Sequence, residues 1–160
     1  MSFALLPARE AGLSRLAELH ALCFPGDAWD TASFGAILAM PGSDGRVVAN
    51  EKGVLLGLIA DLCLGEEAEI LTLGVTPAAR RQGMARLLLA DFLARARAAG
   101  ANRAVLEVAA DNLVALSLYE ASGFERLGKR TRYYLRKDGP PVDAWRLGRG
   151  LPDQRIDRFP

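Results

Sequence analysis

The segment Arg80-Arg81-Gln82-Gly83-Met84-Ala85-Arg86 combines the features with which a polypeptide holds a phosphate. It opens a long helical stretch, and a helix N-terminus presents unpaired N–H groups and partial positive charge. Gly83 lets the backbone approach an anion closely, while Arg80, Arg81 and Arg86 add charge and Gln82 a further donor. Neither the Gly-x-x-x-x-Gly-Lys-Ser/Thr loop nor the Gly-x-Gly-x-x-Gly fingerprint is present. Taken alone, the segment serves equally as a basic, solvated helix start. Just before it, Leu71-Thr72-Leu73-Gly74-Val75 carries a glycine inside an apolar strand, the mark of a bulge or of a close approach by a ligand. A bulge there splays this strand from the Arg103–Ala109 run, opens a cleft, and frees N–H groups for an amide-like ligand or a carbonyl.

Other residue types with chemical potential are few. Cys23 and Cys63 lie in apolar surroundings and read as small buried hydrophobes of a reducing compartment. No metal-ligand spacing occurs, so no metal is expected. The sole histidine, His20, falls beside Leu19 and Leu22 on a helix and reads as structural. Net charge is +1, with 51% hydrophobic and 24% charged residues, which argues against both disorder and a nucleic-acid surface. No cationic leader opens the chain and no run reaches the length of a membrane span, so a cytoplasmic protein without a membrane or nucleic-acid partner is expected. Oligomeric state is not legible.

The elements that must position these residues follow from periodicity. A strand at 3–6 precedes a helix from Glu10 to Phe24, ended by Pro25-Gly26-Asp27, and a short helix at 31–39 capped by Asp30 or Thr31. Runs at 46–50, 54–64 and 68–75, separated by Glu51-Lys52-Gly53 and Gly65-Glu66-Glu67, form an antiparallel meander. Gly83 to Ala99 is a helix with Ala85, Leu89, Phe92, Leu93 and Ala96 on its apolar stripe and Arg95 off it. Arg103–Ala109 alternates as a strand that sets Val105, Glu107 and Ala109 on one face. A helix follows at 113–122, with Asn112 before it, and two strands close the fold at 124–135 and 142–147. At 160 residues this is one α/β domain of the α+β type, a mixed sheet flanked by helices, with a polar extension over residues 148–160.

The ordered motifs resemble a known family. Arg80-x-x-Gly83-x-Ala85 is similar to the Gln/Arg-x-x-Gly-x-Gly/Ala signature of the GNAT superfamily of N-acetyltransferases. The likeness continues through Glu69-Ile70-Leu71, Leu106-Glu107-Val108, Asp111-Asn112, Ala115, Leu118-Tyr119-Glu120, Gly123-Phe124 and Tyr133-Tyr134. Phe24-Pro25, Trp29 and Asp143-Ala144 add to it, and it spans residues 3–147. Within the superfamily the run most resembles bacterial enzymes that acetylate the N-terminal alanine of a small-subunit ribosomal protein. Ala110 and Asp111 depart from the polar pair usual before the asparagine.

The resemblance implies a mostly antiparallel sheet with a splayed central strand pair, acetyl-coenzyme A as co-substrate, and a protein N-terminus as acceptor. It places coenzyme contacts on Leu73, Gly74 and Val75, on Arg80, Arg81, Gln82, Gly83, Met84, Ala85 and Arg86, and on Asn112. It makes Glu107 the general base and Tyr119 the general acid. The chemistry needs such a pair: an α-amine with a pKa of about 8 must lose a proton, and a departing thiolate with a pKa of about 8.5 must gain one. Each residue also has a plainer role: Glu107 an ion pair with Arg103 or another cation, Tyr119 a core aromatic, Asn112 a helix cap. Tyr133, Tyr134 and Trp29 line the acceptor side or the core. Direct attack in a ternary complex is favoured, because neither cysteine has an adjacent base. A small-molecule amine acceptor and a catalytically silent acyl-coenzyme A sensor are the competing readings.

Overall fold

The computed structural model describes residues 2–136 and 138–152. Seven strands form one sheet in the order β1-β2-β3-β4-β5-β7-β6. The meander is present as β1 (Phe3–Pro7), β2 (Ser43–Asn50), β3 (Leu55–Leu64) and β4 (Glu67–Val75), each antiparallel to the next. Strand β5 (Arg103–Ala109) is parallel to β4, and β7 (Gly139–Gly150) pairs antiparallel with both β5 and the edge strand β6 (Glu125–Arg136). A mostly antiparallel mixed sheet is the expected plan.

Helices cover the two faces unequally. The helix expected as one piece from Glu10 breaks at Gly12, whose φ is +86°, into α1 (Ala8–Ala11) and α2 (Leu13–Cys23). Together with α3 (Thr31–Leu38), capped by Asp30, α2 packs on one face against Val47 and Leu58. The opposite face, with Val48, Ile59, Ile70, Leu106, Val108 and Leu147, carries α4 (Met84–Ala98) and α5 (Leu113–Ala121). Burying such a stripe is worth roughly 2 kcal/mol per large side chain. On α4 the buried stripe is Met84, Leu88, Leu89, Phe92, Leu93 and Ala96, and Ala85 is only half-buried.

Arg95 departs from its expected place off the stripe. Its guanidinium grips the buried Asp61 of β3 with two bonds of 3.0 and 2.8 Å and holds Asp91 at 2.7 Å. A charge at this position is tolerated because each guanidinium nitrogen has a carboxylate acceptor.

The central pair is splayed. Parallel pairing runs from Glu67↔Arg103 to Ile70↔Leu106 and then stops, while β4 continues against β3 and β5 against β7. The bulge is not at Gly74, which pairs regularly with Leu58. It falls at Leu71, which is skipped between Asp61↔Ile70 and Ala60↔Thr72. Gly74 is required by a neighbour: a Cβ there would lie 2.7 Å from Phe24 Cε2 and 2.9 Å from Cys23 Cβ. At the C-terminal end β7 runs through Gly150, past the expected domain boundary at 147. Leu151 is buried and its N–H donates to the Asn102 carbonyl at 2.7 Å. Residues 153–160 of the expected extension lie outside the described residues.

Candidate active site

Between β4 and α4 the chain makes a short 3₁₀ turn (Pro77–Ala79) and then the basic segment. Arg80 folds back, its Nε donating to the Val75 carbonyl at 3.1 Å. Arg81 and Gly83 adopt φ of +63° and +82°, turning the backbone so that α4 begins with Gly83 as its cap. That cap supplies no side-chain acceptor, and the first turn of α4 contains no acidic residue. Among the described residues the N–H groups of Arg81, Gln82 and Gly83 have no protein partner. Nothing lies within 4 Å of where a Gly83 Cβ would project. The result is an open, unpaired cluster of donors at the positive end of a helix, suited to a phosphate.

A cavity of about 660 Å³ runs from this turn through the splay. Its walls include Leu73, Gly74 and Val75 of β4, the segment Ala79–Arg86 apart from Gln82, and Asn112, Val114, Ala115, Leu118 and Tyr119 at α5. Cys23 and Phe24 close it from the α2 face, so the cavity crosses the sheet where the ladder is missing. Ten of the eleven expected coenzyme residues thus surround one space; Gln82 does not line it. Asn112 caps α5, its Oδ1 accepting from the Ala115 N–H at 3.2 Å, and lines the cavity as well.

Tyr119 is buried, packs edge-on to Phe124 at 5.7 Å, and faces the cavity. Burial lifts its hydroxyl well above the usual tyrosine range, with Tyr134 adding to the effect, so it remains a proton donor. Cys23 is pushed up to about 11 by burial, against the pull of Arg80. A protonated thiol is a poor nucleophile, which disfavours a covalent route.

Glu107 lies outside the cavity lining, on the face of β5 opposite α4 and α5. Its cross-strand neighbour is Arg146, whose guanidinium is 3.9 Å from Oε1, and Arg130 Nε is 3.0 Å from the same oxygen. The ion pair weighed for Glu107 therefore exists, with β6 and β7 rather than with Arg103, which pairs with Glu67 at 3.5 Å. Glu69 shares this face, and burial raises its carboxyl against the opposing charge of Arg146. The sequence gives Glu69 no role; its place in the family-like Glu69-Ile70-Leu71 run was the available signal.

Tyr134 is half-buried and its hydroxyl is raised by burial and then by the charge of Glu107. A register shift in β6, with Arg132 at φ +54° and its N–H donating to Asp143 Oδ1 at 2.7 Å, turns Tyr134 inward while Tyr133 stays exposed. On the α2 side, His20 is buried and stacks on Trp29 at 5.0 Å. Across the mouth, Arg136 of β6 reaches Asp111 at 3.0 Å and Asp27 at 4.0 Å.

No helix among the described residues is long and apolar enough to cross a membrane. The sequence matches the Acetyltransferase (GNAT) family over residues 13–124. It is 40% identical over 148 residues to the N-alpha-acetyltransferase RimI of Mycobacterium tuberculosis, covering 89% of each chain. Over 74 residues, 46% of this chain and 50% of the relative, it is 36% identical to the ribosomal protein bS18-alanine N-acetyltransferase of Escherichia coli. The crystal structure of the ribosomal-protein-S18-alanine N-acetyltransferase from Escherichia coli has the same fold, with a TM-score of 0.85 at 22% identity over 94% of each chain. With a donor-rich turn opening onto a splayed β4–β5 pair and a family match through most of its length, the chain belongs to the GNAT family and is an N-acetyltransferase.

Proposed function

We propose that the chain transfers the acetyl group of acetyl-coenzyme A to the N-terminal α-amine of a protein, the alanine of a small-subunit ribosomal protein. The carrying observation is the cavity that crosses the sheet at the splay, with the phosphate-suited turn and Tyr119 on one side and Glu107 on the other face of β5. The two relatives whose names specify N-alpha or alanine acetylation support the choice of acceptor.

Acetyl-coenzyme A supplies an acetyl group activated as a thioester. Arg81, Gly83 and the first N–H groups of α4 would hold its pyrophosphate, helped by Arg80 and Arg86. The edge of Leu73–Val75 that faces no strand offers backbone donors and acceptors to its amides and carbonyl. Glu107 takes a proton from the acceptor ammonium, directly or through a water, and the freed amine forms the N–C bond as the C–S bond breaks. Tyr119 gives its proton to the departing sulfur, and the acylated nitrogen sheds its extra proton, through a water, back to the Tyr119 oxygen, so that one proton ends on the thiol and the other on Glu107. Arg130 and Arg146 hold the Glu107 carboxylate in place.

A panel of short peptides differing only in the first residue, run beside spermidine and free amino acids with radiolabelled acetyl-coenzyme A, tests the assignment. Label on the α-amine of Ala-initiated peptides is expected. Label on small amines alone would replace the peptide reading with the small-molecule one. No label on any acceptor, with coenzyme still bound, would identify an acyl-coenzyme A sensor.

A further inference from the structure

We propose that His20 is a positioning residue for the acceptor: it ties the loop between α2 and α3 to the splayed part of β4 and orients the Thr72 hydroxyl. The inference rests on the reading above in one respect, that the acceptor enters on the α2 and α3 face, where Glu107 lies.

Its Nδ1 accepts from the Trp29 N–H at 3.0 Å, which assigns the ring proton to Nε2. Nε2 lies 2.9 Å from Thr72 Oγ1 and therefore donates to it. The Thr72 hydroxyl has its lone pair engaged and its own proton left over to donate. Burial lowers the imidazole to about 4, so the ring is neutral near physiological pH and keeps both bonds. Phe24, Trp29 and Phe34 surround it at centroid distances of 4.6, 5.0 and 5.5 Å.

The two partners belong to separate segments, the α2–α3 loop and β4. Thr72 follows the bulge, on the part of β4 that has lost its β5 neighbour. Trp29 ends the loop that begins at the cavity-lining Phe24 and whose Asp27 faces Arg136 of β6 across the mouth. That loop is one wall of the entrance and the β6–β7 pair is the other. Besides the Phe24 ring against Gly74, the His20 relay is the polar link that sets how far the wall stands from the strand.

Three variants separate the bonds. His20→Asn keeps an acceptor near the Nδ1 position for Trp29, His20→Gln keeps a donor that reaches Thr72, and Thr72→Val removes only the hydroxyl at constant shape. Steady-state kinetics with acetyl-coenzyme A and the best acceptor should show the acceptor KM raised about fivefold or more in all three variants, because each breaks one of the two bonds. The KM of acetyl-coenzyme A should stay within about twofold, because the turn is untouched. A coenzyme KM that rises in step with the acceptor KM, or an unchanged acceptor KM, would overturn the proposal. Nitrogen NMR of the only histidine gives a readout independent of turnover: an Nε2-protonated ring is expected, and an Nδ1-protonated ring would overturn the relay in a fully active enzyme. A wild type that acetylates only small amines removes the peptide reading and leaves the same KM comparison to be made with that amine.

Discussion

Tyr119 reaches the cavity from α5 with no protein hydrogen bond to its hydroxyl among the described residues, and burial keeps that hydroxyl protonated. Removing the oxygen therefore breaks no hydrogen bond to the described residues of the free enzyme. Tyr119→Phe should lower kcat by about 100-fold or more while changing unfolding free energy by less than about 1 kcal/mol; a stopped-flow thiol assay beside urea titration measures both. A variant with normal kcat would assign the thiolate's proton to another donor. His20 gives a pH signature at the same scale. Its folded pKa of about 4 is below the ordinary 6.5, so below pH 6.5 the unfolded chain binds a proton that the folded chain refuses. Its stabilising contribution is full above about pH 6.5 and is lost as pH falls toward 4. Between about pH 7.5 and pH 5 the wild type should lose about 2 kcal/mol more than His20→Asn; equal losses would mean that His20 titrates normally. Some local features were legible early because type and spacing suffice for them, as with the left-handed turn at Gly83 and the Asn112 cap. The Arg130 and Arg146 partners of Glu107, and the choice of Tyr134 over Tyr133 as the inward ring, depend on β6 and β7 register, which alternation alone does not fix.

Strand β4 is the element on which the site turns. Up to Ile70 it is an inner strand, and after the Leu71 bulge it becomes a one-sided edge whose free groups face a cavity. The sequence indicated a bulge and a cleft but pointed to Gly74, because a glycine in a strand serves close contact as well as bulging. Leu71 carries no such mark; its bulge is imposed by pairing with β3, beside the buried Asp61 that Arg95 of α4 grips. Arg95 was misplaced for a related reason. An amphipathic pattern counts an arginine as polar without knowing that a carboxylate awaits it inside. Gly74→Ala would push a methyl group against Phe24 and Cys23. The expected cost is about 1–3 kcal/mol, together with a raised KM for acetyl-coenzyme A as Phe24 is displaced from the cavity wall. Thermal unfolding and steady-state kinetics check this; an unaltered Tm and KM would mean that α2 shifts without consequence.

At the scale of the whole molecule, the sheet separates two groups of residues, to which the proposed mechanism gives two tasks. One face, under α4 and α5, presents the donor-rich turn and Tyr119; the other, only partly covered by α2 and α3, presents Glu107, Glu69 and the Arg136 contacts. The splay is the passage between them. The order of elements and the mixed sheet were legible because the 2.0 and 3.6 periodicities are strong here. The two-sided character of the site was not, since no local pattern tells which face of β5 the helices will cover. The central claim is that the turn binds the coenzyme while proton removal belongs to Glu107. Calorimetric titration of Glu107→Gln with coenzyme A, paired with its single-turnover acetylation rate on the best acceptor, tests that division most directly. A Kd within about twofold of wild type and a rate lower by about 100-fold or more are expected. Normal binding with undiminished turnover would contradict it.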